Sequence, residues 1–167
     1  MIALKVKNQK DFMARLLASE IFDSFFVEEA TIDTFNTFHI DGHVHKDFYK
    51  SDADYSDGNE IDDYSKWSSI RPICLELIKG KRTPLGFKFV FQPDNVTKDK
   101  IIAEADAGIA PSEVLLGLNI RYANGTIVLT TGTAFKTFTL DKSIEKAWDA
   151  FIPSFLSKTG IELVDYD

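Results

Sequence analysis

The chain is short of cysteine. One thiol, Cys74, among 167 residues leaves no partner for an internal disulfide, so the fold must rest on packing alone. Cys74 stands in the apolar run Ile73-Cys74-Leu75 and reads as a buried structural thiol, because apolar surroundings disfavour the thiolate a nucleophile needs. Long apolar runs are missing too. No stretch approaches the roughly 18 apolar residues of a membrane helix, and Met1 to Lys7 lacks the apolar centre of a signal peptide. The expected compartment is therefore the cytoplasm, without membrane attachment. Positive charge is in deficit: 19 Lys and Arg against 26 Asp and Glu give a formal charge of −7, which argues against a general binder of nucleic acid or anionic membranes. Also absent are a Gly-x-Ser-x-Gly elbow, a dinucleotide fingerprint and a paired-cysteine metal motif.

What is present suffices for one domain over 1–167: 44% hydrophobic residues, with 14 Phe, can bury a core. Ile2 to Val6 reads as a strand, followed by a helix from Gln9 to Ser19 capped by Asn8. Residues 24–40, β-branched and aromatic, give one long or two short strands. The acidic stretch 46–66 reads as a mobile surface loop. Pro72 sets the next helix at Arg71 to Lys79, closed by Gly80. Leu85 to Gln92 is a strand and Thr97 to Ala107 a helix. Asn124-Gly125 between Leu118–Tyr122 and Thr126–Thr131 is a hairpin signal, because both turn residues must take positive φ. A further strand is expected over Ala134 to Leu140, with Gly132 as a bend before it. Ser143 to Lys158 is the clearest helix, with Ile144, Trp148, Ile152 and Phe155 on one face. A last strand runs from Ile161 to Val164. These elements predict an α+β fold: a mainly antiparallel sheet of hairpin-linked strands with three to four helices packed on it.

Phe35-Asn36-Thr37-Phe38-His39-Ile40-Asp41 echoes Phe135-Lys136-Thr137-Phe138-Thr139-Leu140-Asp141, with four of seven positions identical. Both halves, about 1–80 and 85–167, also open with strand then helix. An internal duplication of a strand–helix–hairpin unit is one reading. Convergence on alternating Phe and Thr, favoured in any half-buried strand, is the other.

All three histidines fall within seven residues, His39 to His45, with Asp47 just beyond. On one continuous strand, His39, Asp41, His43, His45 and Asp47 would share a face, with His43 and His45 about 7 Å apart, close enough for two imidazoles to reach one divalent ion. Asp41-Gly42 is also a hairpin signal, and a turn there would pair Ile40 with His43 and send His39 to the opposite face. The turn is the favoured reading, and a metal site the lesser one.

Asp52-Ala53-Asp54-Tyr55-Ser56-Asp57-Gly58 resembles the start of an EF-hand loop with Asp63 at the twelfth place, but the glycine falls one position late. Lys79, Lys81 and Arg82 form the densest basic stretch. They suit a phosphate, a nucleotide or an acidic peptide, or they merely offset the negative end of the preceding helix. Gly80-Lys81 lacks the earlier glycine of a phosphate-binding loop. Thr130 to Thr133, with Lys136 nearby, could likewise present donors to an anion.

Thr131 to Ser143 followed by Trp148-Asp149, together with Trp67, Ile70-Arg71-Pro72 and Ile78-Lys79-Gly80-Lys81, resembles a small uncharacterised bacterial family over most of the chain. The resemblance implies a stand-alone bacterial cytosolic protein and no mechanism. The preferred functional expectation is a binding or interaction module without catalytic activity or cofactor, engaging a protein partner or itself through an exposed sheet edge. The alternatives are a metal-dependent, hydrolase-like enzyme built on the histidine segment, and a phosphate or nucleotide sensor built on the 79–84 loop.

Overall fold

A computed structural model describes residues 1–51 and 60–164. Its strands are β1 (Ala3–Val6), β2 (Phe26–Asp33), β3 (Thr37–Asp41), β4 (Ser65–Lys66), β5 (Gly86–Gln92), β6 (Val114–Ala123), β7 (Thr126–Phe135) and β8 (Leu163–Val164). Its α-helices are α1 (Gln9–Leu17), α2 (Trp67–Ile78), α3 (Asn95–Ala105) and α4 (Ser143–Lys158). The strands form one antiparallel sheet in the order β3-β2-β5-β6-β7-β1-β8, with β4 also paired to β2. The fold is α+β, as the alternation of strand and helix patterns predicts. None of the described helices is long and apolar enough to cross a membrane.

Alternation along the strands sets the two faces of the sheet. Ala30 and Ile32 on β2, Phe87, Phe89 and Phe91 on β5, Leu116, Leu118 and Ile120 on β6, and Ile127 and Leu129 on β7 are buried. Their neighbours Thr31, Lys88, Asn119, Arg121 and Val128 point to the other face, where they are only part-covered or exposed. The helices bury the first face. Trp67, fully buried, packs its ring at a tilt with centroids 5.1 and 5.0 Å from Phe89 and Phe91 and donates its indole N–H to the Leu16 carbonyl at 2.9 Å, which ties α2 to α1. Trp148 does the same for α4, donating to the Gly117 carbonyl of β6 at 2.9 Å. A half-buried bidentate pair, Arg71 with Asp23 at 2.8 and 2.9 Å, fastens α2 to the segment before β2.

Three local expectations need correction. Helix α2 begins at Trp67, four residues before the position Pro72 suggested. Pro72 sits inside it because its ring and Ser68, whose carbonyl it leaves without a donor, both lie on an exposed surface, where that carbonyl is open to solvent. The strand expected over Ala134–Leu140 is absent. Instead β7 runs unbroken through Gly132, which pairs with Gly117, and ends at Phe135. Past that point no described strand offers a ladder, and Phe138 and Leu140 stand 89% and 81% exposed.

The third correction concerns Asp41-Gly42, which makes no hairpin turn. The chain stays extended: Ile40 pairs with Ala30, the Gly42 N–H donates to the Glu28 carbonyl at 2.9 Å, and Ser65 donates to the Gly42 carbonyl at 2.9 Å. Gly42 is wedged against a bulge in β2, where an added Cβ would fall on the Val27 carbonyl. Its lack of a side chain serves close approach, and no reversal follows.

The element order does repeat, β1–α1–β2–β3 then β5–α3–β6–β7, each followed by a long helix. Sheet neighbours do not repeat. Strand β5 lies between the two hairpins, whereas β1 lies outside the second. The echoed heptads also differ in place, since Phe35 precedes β3 and Phe135 ends β7. What they share is local: Asp41 accepts from the His43 N–H at 3.0 Å, and Asp141 accepts from the Ser143 N–H at 2.8 Å.

Candidate functional site

The histidine segment disperses when folded. His39 lies on β3 with its Nδ1 3.0 Å from the Thr31 hydroxyl. His43 leaves the strand; its Nδ1 is 2.6 Å from Asp41 and its ring lies 4.6 Å from that of Tyr64. These bonds from the His43 amide and ring hold the Asp41 carboxyl below its ordinary value. His45 precedes a short 3₁₀ turn, Lys46–Tyr49, that carries Asp47 outward, and Asp47 is largely exposed 3.9 Å from Lys50. Among the described residues no group of three His, Cys, Asp or Glu side chains is placed to hold a metal ion. The EF-hand-like run at 52–58 lies outside the described residues; Asp63 accepts from Lys46 at 2.7 Å, which lowers its pKa.

Thr131 is spoken for. Its hydroxyl donates to Asp149 and accepts from the Ile2 N–H, so it serves the junction of β1, β7 and α4. Cys74 is fully buried against the core, and burial pushes its thiol up to about 12, far from a thiolate at neutral pH.

The basic stretch after α2 fares differently. Lys79 turns back to Glu76 at 2.6 Å and Lys81 is exposed, but Arg82 borders a pocket of about 530 Å³. The pocket lies between the start of α1, the end of α2 and the β6–β7 hairpin. Met13, Ile78, Pro84, Tyr122 and Ile127 give it an apolar lining, and Gln9, Lys10, Thr83, Arg82 and the Gly80 backbone supply its polar groups. Gln9 also donates to the Gly125 carbonyl, fixing the hairpin tip against α1. Among the described residues no acidic side chain lines the pocket, and neither Lys10 nor Arg82 is ion-paired. A half-open hollow of this volume, apolar on one side and polar on the other, can seat a small amphipathic ligand, and two uncompensated cations select one bearing a carboxylate or phosphate.

Sequence reading reached Arg82 and missed Lys10, Met13, Tyr122 and Ile127. Lys10 is one lysine on a helix surface, and nothing in the linear order joins it to residues 70 and more positions away. The only available signal was the Asn124-Gly125 hairpin, which predicts that Tyr122 and Ile127 face each other without saying what lies over them.

A second hollow, about 600 Å³ but shallower and more polar, opens on the helix-free face around Lys5, Asn119, Arg121 and Thr130. It offers a ligand less apolar cover than the first.

No curated protein and no solved structure matches this chain. A family model does match, over residues 15–163, and that span takes in the last turn of α1, Arg82 and both strands of the β6–β7 hairpin, while Gln9, Lys10 and Met13 precede it. The chain thus belongs to a family of unknown function, DUF5721.

Proposed function

We propose that the chain is a cytoplasmic binding module, without catalytic activity, that holds a small amphipathic anion in the pocket between α1, α2 and the β6–β7 hairpin. One observation carries this reading: a largely apolar pocket whose charged lining groups, among the described residues, are Lys10 and Arg82 alone. An apolar ligand body displaces water from Met13, Tyr122 and Ile127, and its anionic end meets Arg82, whose planar fork suits carboxylate and phosphate alike. The buried, protonated Cys74 and the dispersal of the histidines favour binding over nucleophilic or metal chemistry. The module reading includes a protein partner or a second copy of the chain as the recipient of the ligand signal.

Thermal unfolding in the presence of benzoate, adenosine monophosphate and inorganic phosphate tests the pocket. A ligand bound only by the folded state stabilises it by about 2.7 kcal/mol at 100 times its Kd. The expected result is a raised Tm with at least one amphipathic anion, little effect from inorganic phosphate, and loss of the shift in Arg82→Ala and Lys10→Ala. An unchanged Tm across all three probes, or a shift that survives both substitutions, overturns the assignment.

A further inference from the structure

The helices cover one side of the sheet and leave the other bare, and the bare side is electrically two-sided. From β2 outward it carries Glu29, Asp33 and Asp41; from β5 to β1 it carries Lys88, Arg121 and Lys5. The middle is small and neutral: Gly117 faces Gly132, and Val90, Asn119 and Thr130 adjoin one another across β5, β6 and β7. Lys88 is held by Glu29 at 2.8 Å, and the Asp33 carboxylate accepts the Thr37 hydroxyl at 2.6 Å and, among the described residues, has no cation beside it. Among the described residues Arg121 and Lys5 have no acidic partner. The side-chain oxygen of Asn119, two residues along β6 from Arg121, is buried without a hydrogen bond. An unmatched cation and an unmatched carboxylate thus lie two strands apart, on opposite sides of β5.

A face whose halves are opposite in charge is complementary to itself. We infer that two copies of this chain associate through their bare sheet faces about a two-fold axis running along β5. Such an axis lays β6 of one copy over β2 of the other. Arg121 stands in the same cross-strand row as Lys88 and Thr31, so in the pair it lies over Thr31, flanked by Glu29 and Asp33 on either side. Both contacts form twice, as an isologous interface requires, while the two Lys88 side chains, each held by Glu29 of its own copy, meet near the axis and Lys5 on β1 lies beyond the overlap. Sheets packed face to face keep their strands within about 30° of each other, which this axis permits. An axis on β5 matches β3 to β7 of one copy with β7 to β3 of the other, so four inter-strand spacings of about 4.8 Å span roughly 19 Å. Strands of this length make a matched face on the order of 450 Å², below the roughly 800 Å² per partner of a standard interface and in the range of weak, reversible pairs. The exposed edge strand is the weaker route, because β3 is five residues long and carries Asp41 at its end. This inference specifies the partner within the interaction-module reading, and it shares no residue with the Arg82 pocket, so either can fail alone.

Sedimentation velocity at neutral pH and low salt, on the wild type and on charge-swapped variants, tests it. The wild type is expected to form a reversible dimer that weakens as salt rises. Arg121→Glu and Asp33→Arg are each expected to weaken self-association on the order of tenfold or more, since like charges then face each other twice. An equimolar mixture of the two variants regains the dimer, as does the Arg121→Glu/Asp33→Arg double variant. A wild type that stays monomeric, single variants that still dimerise, or a mixture and double variant that do not recover would each overturn the inference. Recovery in the mixture also shows that neither single variant lost its dimer by misfolding.

Discussion

Gly42 and Cys74 show how much a single position decides. Gly42 lies against the β2 bulge with no room for a methyl group. Gly42→Ala is therefore expected to destabilise the protein by about 3 kcal/mol, at the upper end of ordinary overpacking because the obstacle is backbone. Urea unfolding measures this, and a change below about 0.5 kcal/mol would mean that β2 and β4 yield freely. Cys74 has its thiol raised to about 12 by burial, against 9.0 for a free cysteine. Its folded pKa is the higher one, so the stability it contributes is complete below pH 9 and declines as pH rises toward 12, the unfolded state losing its proton first. Wild type should thus lose stability more steeply than Cys74→Ala over pH 9 to 11. At neutral pH the native thiol is expected to resist iodoacetamide until the protein unfolds.

At the scale of elements, the β6–β7 hairpin is the one reversal whose chemistry was written in two residues. Asn124 at φ 53° and Gly125 at φ 73° take the left-handed conformations that a two-residue hairpin demands. Gly125→Val is expected to cost roughly 1 to 3 kcal/mol, because a β-branched residue is strained there, while Asn124→Gly stays near wild type. Equilibrium unfolding of the two variants distinguishes a required turn from a tolerant one. Asp41-Gly42 uses the same residue types without a turn. The difference lies outside the dipeptide: β4 and the β2 bulge offer Gly42 hydrogen bonds on both sides, and an extended chain with both satisfied outcompetes a reversal. The same reasoning covers Phe135 to Leu140, where the strand pattern is present and the partner strand is not. Alternation states a preference; pairing needs a neighbour.

For the whole molecule, the two-layer arrangement separates two tasks. Packing consumes one sheet face, while among the described residues the other face keeps Arg121 and Lys5, and the rim of the helical layer Lys10 and Arg82, without an acidic partner. Lys10 and Arg82 are exposed and make no described ion pair, so Arg82→Ala and Lys10→Ala are expected to leave the Tm of ligand-free protein unchanged within the equivalent of about 0.5 kcal/mol. A large loss of stability in either variant would assign the residue to the fold instead of to a ligand.

The sequence by itself determined the α+β class, the Asn8 cap and start of α1, the β6–β7 turn and the full length of α4. Each of these rests on interactions within one element or between adjacent ones, and such interactions leave a period or a cap in the linear order. The sheet order, the extended passage through Gly42, the meeting of Lys10 with Arg82 over Tyr122, and the opposition of Arg121 to Asp33 were decided only in the tertiary structure. They depend on residues far apart in the chain, whose proximity follows from which strand takes which place in the sheet. That choice is made by burying the helical face as a whole, and no local pattern records it.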